Sequence, residues 1–441
     1  MSTSETAVRQ LTPLAPVTLE ESGLNIDLVT QLVLKTLHFA GTLTGVELAQ
    51  RLGVPFPVIE PSLDQLKWQA HCEIIGAAAV GAPSYKYRIT DAGRVRATIF
   101  LRDSHYVGKA PVPLGQYRAY MEAFRSRVQL HISPERVRQA FSHLVLSDRV
   151  LDQLGPAVCA GHSMFVYGPP GNGKTVIAQA IGNLLEGELA IPHALEVEGA
   201  IVRLFDPVSH KPEPEPPSTD DATLDQGHGP DRRWIVCKRP TLTVGGELTL
   251  DSLDLTFNQS TGFYHAPVQL LANGGVLVID DFGRQRCAPR DLLNRWIVPL
   301  ESREDYLTLQ TGLKFEVPFV VLVVFATNIK PAELVDEAFL RRIHYKVFAE
   351  SPTARDFTQI FRNYCDQVGV LFERQAVDGL LRDVLNPRKI QLRGCQPRDL
   401  INQALALAEY RGQPRRLTPA LLEAACDSYF VDDREAPIVH A

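Results

Sequence analysis

Apolar residues recur at helical spacing over 26–38, where Leu28, Val29, Leu32, Val33 and Leu37 fall on one face. Thr44 is placed to cap a short helix over 45–52, which Gly53 ends. Pro57 opens a third helix running to about residue 70, with Val58, Ile59, Leu63 and Leu66 along its apolar side. Two short strands follow, near 72–75 and 85–89. Further on, 163–167 is a short apolar run that reads as a strand, and 175–181 reads as the first turns of a helix. Residues 276–279 form an apolar strand closed by two carboxylates, Asp280 and Asp281, and 320–326 another closed by Thr327 and Asn328. Between them, 307–317 alternates around Thr311-Gly312, as a β-hairpin does. The longest apolar run, 317–326, is too short to span a bilayer and reads as a buried strand.

Breaks in this pattern mark the expected segments. Residues 1–22 are polar and proline-bearing, a flexible tail. Residues 106–116 read as a Pro/Gly-containing linker between an N-terminal domain, 23–105, and a larger second domain. Within the latter, 206–233 holds Lys211-Pro212-Glu213-Pro214-Glu215-Pro216-Pro217 and Asp225-Gln226-Gly227-His228-Gly229, a composition expected to form a flexible surface insertion. With 45% hydrophobic and 22% charged residues the chain has the composition of a globular protein. Its net charge of −6 gives no global footprint for nucleic acid or anionic membrane. The seven scattered cysteines contain no C-x-x-C pair, which points to reduced thiols rather than disulfides or a zinc site. The N-terminus lacks a basic-then-apolar signal pattern, so a cytoplasmic protein without membrane insertion is expected.

Residues Gly168-Pro169-Pro170-Gly171-Asn172-Gly173-Lys174-Thr175 spell a phosphate-binding loop between the strand at 163–167 and the helix after it. Its glycines let backbone N–H groups converge on a phosphate chain, and the helix N-terminus adds its own attraction for anions. Lys174 can reach the β- and γ-phosphates, and the Thr175 hydroxyl can ligate Mg²⁺. Asp280 can hold the same ion through water, while Asp281 can orient or deprotonate an attacking water. The Asn328 amide, at the end of its strand, would reach the γ-phosphate and that water. One of Arg341 and Arg342 is expected to reach ATP bound by a neighbouring subunit. Arg398, in a helical tail, can fold over the phosphates of its own chain.

This set, in this order, resembles the AAA+ ATPases over about 117–430: Walker A at 168–175, Walker B at 276–281, sensor 1 at Asn328, an arginine finger at Arg341 or Arg342 and sensor 2 at Arg398. The stretch 263–328 is most similar to the branch of MoxR-like ATPases, enhancer-binding transcription activators and MCM-type helicases, which insert a hairpin before sensor 1. Two departures stand out: Asp281 takes the place of the family's usual glutamate, and about a hundred residues separate the Walker motifs. Phe263 and Tyr264 fall near where such rings present channel loops, though an aromatic pair equally suits a core. The resemblance implies an α/β domain over 117–350, a doubly wound parallel sheet, with a helical lid over 351–441. It also implies Mg²⁺-dependent hydrolysis of ATP in a homo-oligomer, a hexameric ring.

Three helices followed by a hairpin resemble a winged helix (α+β), and 89–94 resembles that family's strand-to-helix exit. Its third helix carries Glu60 and Asp64 against Lys67, and the hairpin offers Lys86 and Arg88. Phosphates would repel those acids, so a protein contact is favoured over DNA. The sequence therefore leads with a chaperone-like motor that remodels a protein target. A DNA-acting, transcription- or replication-related ATPase and a slow, nucleotide-gated scaffold stand as alternatives.

Overall fold

Local signals set the first elements. The computed structural model describes residues 12–77, 79, 81–127, 132–214, 229–334 and 337–430. Outside them lie residues 1–11 of the expected tail, 215–228 of the expected insertion, Asp336 and the end of the expected lid. Helix α1 (Leu19–Ser22) precedes α2 (Ile26–Ala40), β1 (Thr42–Thr44) and α3 (Gly45–Leu52). At the start of α3, Thr44 Oγ1 accepts from the Glu47 N–H at 3.2 Å and Glu47 Oε2 accepts from the Thr44 N–H at 2.7 Å. Two amides that no helical turn could satisfy are thus closed reciprocally. Gly53 ends the helix at φ 70°, a conformation that side chains disfavour. Next come α4 (Phe56–Trp68), β2 (Cys72–Ala77), β3 (Tyr85–Ile89) and α5 (Asp91–Asp103). The three strands form an antiparallel sheet of order β1-β3-β2. Sequence reading missed β1, because three residues are too few for a period to register.

The chain continues through β4 (Val112–Pro113), α6 (Leu114–Arg127), α7 (Pro134–Ala140), α8 (Asp148–Cys159), β5 (Met164–Tyr167) and α9 (Lys174–Gly182). Then follow β6 (Glu188–Pro192), β7 (Ala194–Val197), β8 (Ala200–Arg203), β9 (Trp234–Lys238), β10 (Thr241–Val244), β11 (Thr256–Asn258) and β12 (Phe263–His265). After α10 (Val268–Leu271) come β13 (Val276–Ile279), α11 (Pro289–Ser302), β14 (Glu304–Thr308), β15 (Lys314–Pro318) and β16 (Leu322–Thr327). Two short helices, α12 (Pro331–Leu334) and α13 (Glu337–Leu340), lead to β17 (Tyr345–Phe348). The last elements are α14 (Ala354–Val368), α15 (Arg374–Gly379), α16 (Gln396–Tyr410) and α17 (Pro419–Tyr429).

Two compact units result. The described residues of Met1–Leu130, Leu185–Leu277 and Gln285–Val323 make the first, and those of His131–Leu184, Val278–Arg284 and Val324–Ala441 the second. In the first, a sheet of order β11-β12-β8-β7-β4 pairs β12 with β8 in parallel and β7 with β8 antiparallel. The hairpin β14–β15 turns at Gly312, with Leu307 opposite Phe315, as its alternation predicts. One hydrophobic core joins α2, α3 and α4 to Ala194, Ile201 and Phe263 of β7, β8 and β12.

Several expected boundaries differ from what this unit contains. In the segment read as a linker, Ala110 and Val112 are buried, the Ala110 N–H donates to Leu52 O at 2.7 Å, and Val112 pairs with Leu195. The segment read as a loose tail is tied down at its described end, where Leu14 bridges to Pro230 and the Asp231 N–H donates to Pro13 O at 2.8 Å. The described flanks of the expected insertion are also fixed. His210 is buried with Nε2 2.8 Å from Leu271 O, and the Arg233–Asp231 ion pair, at 2.8 Å, is buried on both sides. Arg233 also donates to Ser22 O at 3.0 Å and to Gln116 Oε1 at 3.1 Å. In the described parts of these segments, backbone ladders, a buried charge pair and single buried apolar side chains such as Val112 hold the chain, and composition registers none of these. Phe263 and Tyr264 belong to the core: both are buried, and Phe263 meets the Tyr106 ring edge-on with centroids 5.8 Å apart. A channel role for either is thereby overturned.

In the second unit β5 lies between β16 and β17, both parallel to it, within the order β13-β16-β5-β17. Every residue of β16 is buried, as expected of a strand covered on both faces. Helices α14 to α17 pack around Phe357, Phe361, Leu400, Ile401 and Leu422.

Candidate nucleotide-binding site

All the site residues named in the sequence belong to the second unit. β5 ends at Tyr167 and gives way to the loop 168–173, after which α9 starts at Lys174. Gly168 stands at φ 149°, where a Cβ would lie 2.5 Å from Ala349 O. Gly171 stands at φ 81°, where a Cβ would lie 2.6 Å from Cys395 Sγ. Both positions require glycine, for conformation and for space. Lys174 is buried, and its Nζ donates to Pro169 O at 2.8 Å. Burial lowers the pKa of this ammonium, against the opposing pull of Asp281 and Asp280.

Thr175 Oγ1 donates to Asp280 Oδ2 at 2.8 Å, which joins the start of α9 to the end of β13. The turn after β13 is anchored by Phe282, buried against Phe165 and Phe325. Its N–H donates to Ala326 O at 2.8 Å, and its carbonyl accepts from Thr327 Oγ1 at 2.7 Å. This turn sets Asp281 at φ 47°, an exposed position from which its Oδ1 accepts from Asn328 Nδ2 at 3.0 Å. Lys174, Thr175, Asp280, Asp281 and Asn328 are thus brought together by three strand ends and one helix start.

A cavity of about 390 Å³ adjoins the loop. Its wall includes Gly171, Asn172, Gly173, Val176, Tyr364 and Arg398, so Arg398 stands beside the loop. Arg398 Nε donates to Asp399 Oδ1 at 2.9 Å, and this carboxylate raises the guanidinium pKa. The wall also includes 143–147, a segment between α7 and α8 that sequence reading missed. It carries no motif, and its placement follows only from the fold. Arg341 and Arg342 are not in that wall; Arg341 is exposed and pairs with Glu337 at 3.1 Å.

The donor set suits a Mg-nucleotide. A helix N-terminus preceded by a glycine cradle attracts phosphate. Hydroxyl and carboxylate oxygens at 2.8 Å from each other are hard ligands of the kind Mg²⁺ takes. The carboxylate of Asp281, held by an amide, can accept a proton from water.

Two families match the sequence: "Magnesium chelatase, subunit ChlI" over residues 147–208 and a domain of unknown function, DUF8689, over 353–428. No curated protein sequence matches. Among solved structures, the RuvB Holliday junction branch migration motor of Thermotoga maritima is similar at 16% identity, with 68% of this chain and 71% of that one covered and a TM-score of 0.36. NtrX from Brucella abortus is similar at 16% identity, over 66% of this chain and 56% of that one, with a TM-score of 0.41. The ChlI match runs from α8 through the phosphate loop, on a sheet that sets two carboxylates and an amide beside that loop. Motif, order and geometry there agree with the AAA+ ATPase core that the sequence resembles.

Proposed function

We propose that this chain is an ATP-hydrolysing motor that works as a homo-oligomeric, hexameric ring in the cytoplasm and remodels a protein target. The linked pairs Thr175–Asp280 and Asp281–Asn328 carry the hydrolytic part. Lys174 leaves Pro169 O to meet the β- and γ-phosphates, and the loop N–H groups of Gly171, Asn172 and Gly173 face them. Thr175 and Asp280 would hold Mg²⁺, which would supply neutralisation of charge on the phosphates. Asp281 takes a proton from the attacking water, and Asn328 keeps its carboxylate aimed. Arg398 closes over the phosphates of its own chain, while Arg341 or Arg342 serves the neighbour's nucleotide.

The target reading rests on the N-terminal module, which we assign as a winged helix. Two of its cations are already answered: Lys67 pairs with Asp64 at 2.6 Å and Arg88 with Glu73 at 2.6 Å. Exposed beside them in sequence are Trp68, at 87% of its surface, and Ile74 and Ile75 of β2. Paired cations and open apolar side chains suit a protein partner better than a phosphate backbone. The full-length chain should therefore retain no mixed-sequence duplex at physiological salt, and duplex should leave its ATPase rate unchanged. Sub-micromolar binding that falls steeply with salt would replace this reading with the DNA-acting one.

A further inference from the structure

The fifth residue of the phosphate loop has a side chain that nucleotide binding does not require. Asn172 is buried, and its amide is used on both sides. Nδ2 donates to Ala349 O at 3.4 Å and to Ser351 Oγ at 3.3 Å, just beyond β17. Oδ1 accepts from the Gly394 N–H at 3.2 Å, just before α16. The next amide along, Cys395 N–H, donates to Gly171 O at 2.8 Å. Gln391 Nε2 also donates to Ser351 Oγ at 3.3 Å, and the buried Gln396 braces the same segment through Gln391 O at 3.0 Å and the Arg393 N–H at 2.9 Å. Three stretches of chain, 171–172, 349–351 and 391–396, are thereby held together, and the Asn172 carboxamide is, among the described residues, the one side chain that touches all three.

Arg398 lies in the first turn of α16, four residues beyond Gly394. Whatever fixes 394–395 against the loop also fixes where that guanidinium stands. We propose that Asn172 is a positioning residue that seats the start of α16 on the phosphate loop and so sets the reach of Arg398 to the phosphates. This rests on the ATPase reading above. It adds that nucleotide occupancy and the placement of α16 are coupled through a side chain, not through the loop backbone alone.

A double-mutant cycle in the full-length protein tests it, with kcat and KM for ATP measured for Asn172→Ala, Arg398→Ala and the pair. Each single change should lower kcat/KM by about tenfold, and the pair should lose little more than either alone, because both remove one function. Each nucleotide-free protein should melt in one transition above the assay temperature, so that the losses are read on folded chains. Losses that multiply, to about a hundredfold in the pair, would overturn the proposal and leave Asn172 a packing residue. Should Asn172→Ala not fold, Ser351→Ala takes its place, since it removes the acceptor shared by Asn172 and Gln391. A Ser351→Ala loss additive with Arg398→Ala would sink the idea in the same way. Lys174→Ala separates this from the parent reading: that change should abolish ATP binding, and undiminished binding would remove the nucleotide site itself.

Discussion

Asp281 stands at φ 47°, in the left-handed region that Asp and Asn enter far more readily than Glu. This offers a physical account of why a carboxylate shorter than the family's usual one occupies the place. The turn anchored by Phe282 demands a residue tolerant of that conformation, and Asn328 reaches 3.0 Å to meet the short side chain. Asp281→Asn should keep the turn, since Asn tolerates the same φ. It should retain ATP while hydrolysis slows by about two orders of magnitude, the scale of a lost proton acceptor. An unchanged rate would place the water-polarising group elsewhere, and a lost affinity would put Asp281 on the metal. At this scale the sequence was most readable where chemistry constrains both residue type and spacing, as from Gly168 to Thr175. Asn172 was legible only as a loop position. Its amide's partners, Ala349, Ser351 and Gly394, lie far off in the chain and no spacing rule reaches them.

Elements with their own punctuation were legible to within a few residues: α3 between its Thr44 cap and Gly53, α4, read from Pro57 and starting at Phe56, and the β14–β15 hairpin around Gly312. Elements that depend on partners were not. The apolar run 317–326 divides between β15, which ends at Pro318, and β16, which starts at Leu322. Hydropathy is continuous across that break, so only pairing reveals it. Likewise β6 to β9, β11 and β12 are each three to five residues long and define themselves by their neighbours. Helix α2 supplies a test of burial. Lys35 is 1% exposed, its Nζ donates to Ser104 O at 3.1 Å, and burial lowers its pKa to about 8 despite the nearby Asp103 carboxylate. The folded state therefore binds this proton less tightly than the unfolded chain. Between pH 8 and 10.5 the unfolded chain carries more protons, so stability rises with pH, and below pH 8 the full penalty remains. Lys35→Met should raise the thermal midpoint at pH 7, by a free energy of up to about 3 kcal/mol, and the gain should shrink toward pH 10. A gain that ignores pH would mean that desolvation of the ammonium is not its source.

At the level of the whole molecule, the cavity wall has Arg398 as its arginine among the described residues. Arg341 and Arg342 are absent from the cavity wall, and the exposed Arg341–Glu337 pair at 3.1 Å is weak enough to exchange for another anion. Hydrolysis per subunit should rise with protein concentration, and mixing gives a sharper answer. Subunits with both arginines changed to Ala, mixed with Asp281→Asn subunits, should regain activity, because some interfaces then pair an intact pocket with an intact arginine. No regain, in particles demonstrated to be mixed, would argue against action between subunits. The joint core of the first unit has a consequence of another kind. Ala194, Ile201 and Phe263 complete the packing around α2, α3 and α4, and Arg233 donates to Ser22 from 211 positions away. The N-terminal module is therefore no interchangeable cassette. A graft of a foreign head would leave an apolar seat open and a buried guanidinium short of an acceptor, each costing about 1–3 kcal/mol or more. Changes to what this module contacts are therefore expected on its outward face, residue by residue, while the seat beneath stays as it is.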